Sequence, residues 1–182
     1  NPQRFDEQVE QLANAEYRFD QEKKTVVFAG SSSIRMWTDV QKYFPGYNVI
    51  NNGFGGSHFS DLIYFYDELI KKWSPSILFI YEGDNDIAAG KKPAAVIRDA
   101  QKLYQMIRQD FPNLKIVFIA AKPSIARWNL KNQYEKLNNK LEKFAENKER
   151  TEFADVWKAM LDENGQVLQD IFIGDDLHMN KK

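Results

Sequence analysis

The 182-residue sequence contains no cysteine and only two histidines. The absence of cysteine excludes a disulfide framework, a thiolate metal site and a cysteine nucleophile, so covalent chemistry has to use an oxygen or a nitrogen atom. A chain without cysteine also suits an oxidising compartment. The sequence in addition begins without an initiator methionine, which fits a mature protein after signal cleavage or a trimmed chain, so we expect an exported protein, periplasmic or extracellular, with a cytoplasmic one as the alternative.

The sequence also lacks an excess of charge and a long hydrophobic run. Its 25 basic residues nearly balance 26 acidic ones and are scattered, which is not the pattern of a nucleic-acid-binding protein. The longest apolar run, SILFIY from Ser76, has the length of a strand and is far below the roughly 18 residues of a membrane span. We therefore expect a soluble protein that binds a small neutral or weakly polar molecule, with no nucleic-acid partner.

What the sequence does contain is enough apolar material for one compact domain. Of its residues, 43% are hydrophobic and 14% aromatic, which supports one full core but hardly two. No repeat, low-complexity linker or change of composition divides the chain. The prediction is a single domain over residues 1–182, with an N-terminal helix at about 5–19 before the first strand.

Five short runs rich in Val, Ile and Phe have no alternation of polarity, which is typical of buried parallel strands. They alternate with helix-like stretches, so the sequence predicts an α/β fold, a three-layer α/β/α sandwich around a five-stranded parallel sheet. The commonest order for such a sheet is the flavodoxin-like order 2-1-3-4-5. The predicted strands are Thr25–Gly30, Tyr47–Asn51, Ser76–Glu82, Lys115–Ala121 and Glu152–Trp157. The predicted helices after the first strand are Ile34–Tyr43, Asp61–Lys72, Ala94–Asp110 and Asn129–Glu149.

Ligands of such sheets bind where loops leave the carboxyl ends of the strands. Four of these loops carry clusters of polar residues or glycine: GSSS, NNGFGGSHF, GDNDI and GDDLHMN. The sequence therefore predicts that the functional residues lie in these four loops.

The GSSS loop contains the first candidate nucleophile. Taken alone, Ser31 to Ser33 are best explained as caps of the following helix. A phosphate-binding P-loop would need a Gly-Lys pair four residues on, which this loop lacks, and the G-x-S-x-G elbow would need glycine where the chain has Ile34.

A serine nucleophile needs an imidazole to accept its proton and a carboxylate to orient that imidazole. His178 follows Asp175 by three residues, a spacing that can bring the carboxylate under the ring in a turn. The D-x-x-H pattern is weak by itself, and a surface histidine explains it as well. The other histidine, His58, has no carboxylate in a motif beside it and is interpreted as a rim or structural residue.

The GDNDI loop offers acidic groups and one amide. A metal site at Glu82, Asp84 and Asp86 is conceivable, but the calcium-loop pattern is not met. Asn85 is the more useful group, because an amide N–H stabilises a developing oxyanion without titrating.

The glycines of NNGFGGSHF allow the backbone to approach a ligand closely. An equally good explanation is a tight strand-to-helix turn capped by Ser57 or Ser60. The residues alone leave both open.

Taken together, the four clusters resemble the SGNH hydrolase superfamily, the GDSL-like lipases and acylhydrolases. The resemblance implies that Ser32 is the nucleophile, within a G-S-S in place of the family's G-D-S. It implies that Gly56, rather than Gly53, is the oxyanion glycine of the second block. Gly83-x-Asn85-Asp86 resembles the G-x-N-D block, with Asn85 as the oxyanion asparagine. The final D-x-x-H block implies Asp175 and His178 as the acid and the base.

The resemblance further implies a serine esterase that works through an acyl-enzyme, with the oxyanion held by the N–H groups of Ser32 and Gly56 and by the Asn85 side chain. The substrate would be a small-molecule ester, such as an acetylated carbohydrate or another short acyl ester. Neither a cofactor nor a metal is expected. Two alternatives stay open: an O-acyltransferase, and a non-catalytic ligand-binding module on the same fold.

The sequence departs from the family in two places. Ser31 stands where the family usually has aspartate, so the function of that carboxylate is missing or is performed by a hydroxyl. Family members usually continue into a final helix, whereas this sequence stops at Lys182, so the His178 loop is expected to be poorly anchored.

A further motif follows the fourth predicted strand. Lys122, Arg127 and Trp128 of AKPSIARW could bind a sugar or an anionic group, although ordinary packing at a helix start is the preferred interpretation.

Overall fold

The computed structural model describes residues 1–181 and contains a five-stranded sheet in which all neighbouring strands are parallel. Its strand order is β2-β1-β3-β4-β5. The predicted α/β class, parallel sheet and flavodoxin-like order 2-1-3-4-5 are therefore confirmed. The strands are β1 (Thr25–Gly30), β2 (Asn48–Gly53), β3 (Ile77–Tyr81), β4 (Lys115–Ile119) and β5 (Thr151–Ala154).

Seven α-helices occur within residues 1–181, and short 3₁₀ turns flank several of them. None of these helices combines the length and the apolar character that crossing a membrane requires. The helices are α1 (Asp6–Ala13), α2 (Ser32–Met36), α3 (Phe59–Tyr64), α4 (Tyr66–Leu69), α5 (Asp84–Ala88), α6 (Pro93–Asp110) and α7 (Lys131–Glu146).

Successive strand residues point to opposite faces of the sheet, so each strand supplies two cores. Val27 and Ala29 belong to the larger core, which the apolar sides of α1, α3, α4, α6 and α7 complete. Val26 and Phe28 belong to the smaller core on the other face, with α2 and the aromatic rings of Trp37 and Phe44. The predicted three-layer arrangement is confirmed, and its two helical layers are unequal.

The N-terminal helix is shorter than the predicted span of 5–19. It ends at Ala13, after which Tyr17 and Phe19 stack on each other with ring centroids 5.5 Å apart. Tyr17 also meets the edge of Trp73 at 5.4 Å. These aromatic contacts hold residues 15–19 in a non-helical path, which the sequence periodicity did not indicate.

The helix predicted from Ile34 to Tyr43 was wrong in length. It starts at Ser32, ends at Met36 and is followed by a separate 3₁₀ turn at Val40–Tyr43. The amide nitrogen of Asn51 donates to the carbonyl of Ile34 at 2.7 Å and to that of Trp37 at 3.0 Å. These bonds satisfy helix carbonyls that would otherwise accept from the next turn.

Two further helix predictions need correction. The single helix predicted at Asp61–Lys72 is divided into α3, α4 and a 3₁₀ turn. The helix α5 lies in the GDNDI segment, which the sequence indicated only as a loop. By contrast, Pro93 begins α6 as expected of a first-turn proline.

Candidate active site

Ser32 is the first residue of α2 and lies directly after the carboxyl end of β1. The turn before it needs glycine: Gly30 has φ +146°, and a Cβ at this position would lie 2.0 Å from the carbonyl oxygen of Tyr81. Gly53 at the end of β2 is equally constrained, because a Cβ there would lie 2.1 Å from the backbone nitrogen of Arg35. Strand and helix therefore approach closely enough to hold Ser32 at the edge of the sheet.

The three serines of the GSSS loop have different environments. Ser31 is the N-cap residue and is fully buried, but its side chain makes no capping hydrogen bond. Its Oγ donates to Oδ1 of Asp84 at 3.4 Å instead. Ser33 lies inside α2, so it is not the helix cap that the sequence suggested.

The Ser32 hydroxyl lies beside His178. Its Oγ is 2.7 Å from Nε2 of His178, and Nδ1 of the same ring is 2.5 Å from Oδ2 of Asp175. The Asp175 carboxylate also accepts the backbone N–H groups of Leu177 and His178, at 3.0 and 2.9 Å. Chiefly because of the hydrogen bond from the His178 side chain, the pKa of Asp175 is held below its usual range.

The loop that carries His178 is anchored by several contacts, contrary to the expectation from the sequence. The carbonyl of His178 accepts from the N–H of Ile173 at 2.8 Å, and the carbonyl of Asp176 accepts from Ala126 at 3.0 Å. The buried ammonium of Lys122 donates to the carbonyl of Leu177. Residue 182 lies outside the described part of the chain, and the loop is already held without it.

Asn85 is the second residue of α5, just past the carboxyl end of β3. Its Nδ2 donates to the backbone carbonyl of Ser57 at 3.0 Å, which ties it to the glycine loop. In that loop Gly56 has φ +82°, a conformation that side chains rarely adopt. The α3 helix that follows is capped from His58, not from Ser57 or Ser60.

The Arg127 guanidinium contacts the neighbouring acid and amide. Its Nη1 lies 3.4 Å from Asp84 Oδ2, and both Nη atoms donate to Oδ1 of Asn85 at 3.1 Å. Trp128, by contrast, stacks on Trp157 with ring centroids 6.1 Å apart. Arg127 thus lies at the site. Trp128 instead packs against Trp157, in agreement with the preferred interpretation of ordinary packing at a helix start.

The acidic residues considered as metal ligands are dispersed. Asp86 is buried and accepts from the ammonium of Lys91 at 2.7 Å, and Glu82 contacts the hydroxyl of Ser57 at 2.5 Å. Within residues 1–181, no three such groups lie together as metal ligands would. His58 lies 3.9 Å from Asp86, a partner that its sequence neighbours did not reveal.

A cavity of about 300 Å³ opens over the Ser32 and His178 side chains. Its walls include Gly56, Asn85, Arg35 and Arg127. The residues that the sequence indicated for catalysis therefore lie together. Ser32, Gly56, Asn85 and His178 line the cavity, and Asp175 contacts the His178 ring without lining the cavity itself. Arg35 and Arg127 are the residues that sequence reasoning missed or left aside.

The model of the GDSL-like Lipase/Acylhydrolase family matches residues 24–182. No curated protein sequence matches the chain.

Solved structures of similar fold include three bacterial hydrolases. A GDSL-like lipase from Bacteroides thetaiotaomicron is 18% identical with a TM-score of 0.76, covering 100% of this chain and 90% of that one. A family 3 carbohydrate esterase from Clostridium thermocellum is 13% identical with a TM-score of 0.66, covering 87% and 88%. An acetyl-xylooligosaccharide esterase from Geobacillus is 15% identical with a TM-score of 0.70, covering 86% and 87%. At these identities the likeness shows the fold.

Proposed function

We propose that this chain, which belongs to the GDSL-like lipase/acylhydrolase family, hydrolyses a carboxylic ester through an acyl-enzyme on Ser32. One observation carries the proposal: Ser32 Oγ, the His178 ring and the Asp175 carboxylate form a continuous chain of contacts of 2.7 and 2.5 Å. This arrangement of nucleophile, base and orienting acid is that of a catalytic serine triad.

The proton positions follow from the acceptor chemistry. An ionised carboxylate only accepts, so Nδ1 of His178 carries the proton that it shares with Asp175. Nε2 is then free to take the proton of Ser32 Oγ as that oxygen attacks the ester carbonyl. The same nitrogen returns the proton to the leaving alcohol, and water repeats the two steps on the acyl-enzyme.

The tetrahedral oxyanion is assigned to the backbone N–H groups of Ser32 and Gly56 and to the amide of Asn85. These groups are neutral donors that follow the carboxyl ends of three different strands, and they border the same cavity as the nucleophile. Such preorganised donors stabilise negative charge where it develops.

A small ester is the proposed substrate, such as an acetylated carbohydrate or another short acyl ester. The cavity of about 300 Å³ lies at the lower end of ligand-site volumes and suits a small group. Esterases of acetylated or other carbohydrates are among the proteins of similar fold.

The test uses p-nitrophenyl acetate and a fluorophosphonate probe with three proteins: wild type, Ser32→Ala and the matched control Ser33→Ala. Wild type and the control should turn over the ester and become labelled, and Ser32→Ala should do neither. Equal labelling of all three proteins, or a folded wild type that is never labelled, would contradict the proposal. A folded wild type that is never labelled would indicate a non-catalytic ligand-binding module.

The O-acyltransferase alternative is separated by product analysis. Turnover of p-nitrophenyl acetate in the presence of a sugar acceptor should release free acetate from a hydrolase. Accumulation of the acetylated sugar instead would identify a transferase that uses the same Ser32.

A further inference from the structure

Three guanidinium groups lie at the cavity or beside its glycine loop, and two of them are paired with carboxylates. Arg127 lies 3.4 Å from Asp84, and Arg4 lies 3.7 Å from Asp61. Within residues 1–181, the Arg35 side chain has neither an ion pair nor a hydrogen bond. Arg35 is therefore the arginine of this cavity whose charge no carboxylate of residues 1–181 neutralises.

The position of Arg35 follows from α2 and the glycine loop. It lies three residues after Ser32, so both side chains share one side of the short helix. A Cβ at Gly55 would lie 3.1 Å from Nε of Arg35 and 3.2 Å from its Cζ and Nη2. The absence of a side chain at Gly55 therefore makes room for the planar guanidinium next to Gly56.

The cavity wall is cationic, although the whole chain has a net charge of -1. Two arginines border the cavity, Arg35 and Arg127, and no carboxylate side chain does. A concave surface lined by one sign of charge concentrates ligands of the opposite sign. Because an arginine stays protonated in proteins, this preference holds over the whole working pH range.

We propose that Arg35 binds a carboxylate or phosphate group carried by the ester, so that the site prefers anionic esters over neutral ones of similar size. The inference rests on the proposed function. A guanidinium offers a rigid fork of donors that fits either oxyanionic group. None of these donors of Arg35 is used by the residues of 1–181.

The test compares wild type with Arg35→Gln on one neutral and three charged esters. p-Nitrophenyl acetate is neutral, mono-p-nitrophenyl succinate has a carboxylate on the acyl group, and 4-acetoxybenzoate and 4-acetoxyphenyl phosphate have the anion on the alcohol. We expect kcat/KM to fall about tenfold more on at least one charged ester than on p-nitrophenyl acetate, mainly through KM. The affected ester identifies which part of the substrate carries the anion.

Two control variants sharpen this comparison. Arg35→Lys keeps the positive charge and should keep most of the preference. Arg98→Gln removes an exposed arginine from α6, a helix that contributes no side chain to the cavity. This variant should have the wild-type kcat/KM on every ester. Equal changes on charged and neutral esters in Arg35→Gln, or no change on any of them, would overturn the inference.

A binding measurement separates failure of this inference from failure of the proposed function. In the Ser32→Ala background, the three charged esters are titrated and followed by NMR chemical shifts, with and without Arg35→Gln. At least one should bind about tenfold more weakly when Arg35 is removed. Unchanged binding of all three would refute the role of Arg35, whatever the protein catalyses.

Discussion

Both Nη atoms of Arg127 donate to Oδ1 of Asn85 at 3.1 Å. Because a guanidinium has donors only, it fixes the Asn85 side chain with its oxygen towards Arg127 and its nitrogen away from it. That nitrogen uses one N–H on the carbonyl of Ser57, at 3.0 Å. The second N–H is left for a ligand. Arg127 therefore determines which end of the amide faces the cavity.

Replacing Arg127 by Met should lower kcat about tenfold while KM changes little, because the amide of Asn85 would lose its fixed orientation. Arg127→Lys retains one donor and should recover part of the loss. Steady-state kinetics with p-nitrophenyl acetate measures both variants. A loss that appears only in KM would assign Arg127 to substrate binding instead.

Asn85→Ala should reduce kcat by roughly 10²–10³, since it removes a side-chain donor from the oxyanion site. The reduction should exceed that of Arg127→Met, because Arg127 acts through Asn85. Near-normal kcat in Asn85→Ala would remove this residue from the proposed oxyanion site.

Ser31→Asp should destabilise the protein, although it restores the residue that the family usually has. The Ser31 hydroxyl is fully buried and 3.4 Å from the Asp84 carboxylate, so the variant would bury two like charges together. We expect the free energy of unfolding to fall by about 1–3 kcal/mol, the usual cost of leaving a buried polar group unsatisfied. Urea denaturation measures the loss.

The double variant Ser31→Asp/Asp84→Asn tests the cause of that loss. It leaves one carboxylate in the pair and should recover most of the unfolding free energy. Asp84 would then be the residue that supplies the local carboxylate in the absence of an aspartate at 31. Additive losses in the double variant would contradict this exchange.

Lys122→Met should lower kcat, because the Lys122 ammonium holds the carbonyl of Leu177 next to His178. The exposed Lys140 on α7 provides the control, Lys140→Met. Unchanged kcat in Lys122→Met would show that the other bonds of the loop suffice to position His178.

Burial lowers the pKa of Lys122 to about 8, which predicts a dependence of stability on pH. Between about pH 8 and the ordinary lysine pKa, the unfolded chain binds more protons than the folded one. The contribution of Lys122 to the unfolding free energy should therefore rise with pH through this window. Denaturation at several pH values should show the rise in wild type and its absence in Lys122→Met.

The Glu82 carboxyl group should make the unfolding free energy depend on pH in the opposite direction, because burial raises its pKa well above the usual range. The hydrogen bond that Ser57 Oγ donates to Oε1 of Glu82 at 2.5 Å favours the ionised carboxylate, but the effect of burial on the pKa is larger. The folded state thus holds a proton that the unfolded chain releases above its own carboxyl pKa.

Unfolding free energy should therefore fall as pH rises from the ordinary glutamate pKa towards the raised one. Glu82→Gln keeps a side-chain oxygen that can accept from Ser57 and removes the titratable group, so it should remove this decline, with stability near wild type at low pH. A decline that persists unchanged in Glu82→Gln would show that another group causes it.

The strands and the site loops could be predicted because their signals are local. A buried parallel strand such as Thr25–Gly30 is apolar throughout, and the polar clusters begin where the strands end. Helix ends were predicted less well. The end of α2 depends on Asn51, a residue of β2, and the end of α1 on the stacking of Tyr17 with Phe19 near Trp73. The predictions of a single domain and of export stay predictions.

The sequence by itself determined which groups are available: a serine, a histidine and an aspartate at spacings that resemble one family. Only the tertiary structure decided how their neighbours act. Ser31 meets Asp84 across 53 residues of chain, and Arg127 reaches Asn85 across 42. Such pairings depend on the sheet order and on how closely α2 and α5 lie at its edge, and no local pattern encodes them. For the same physical reason, Arg35 can be recognised as an unpaired charge only once its surroundings are folded.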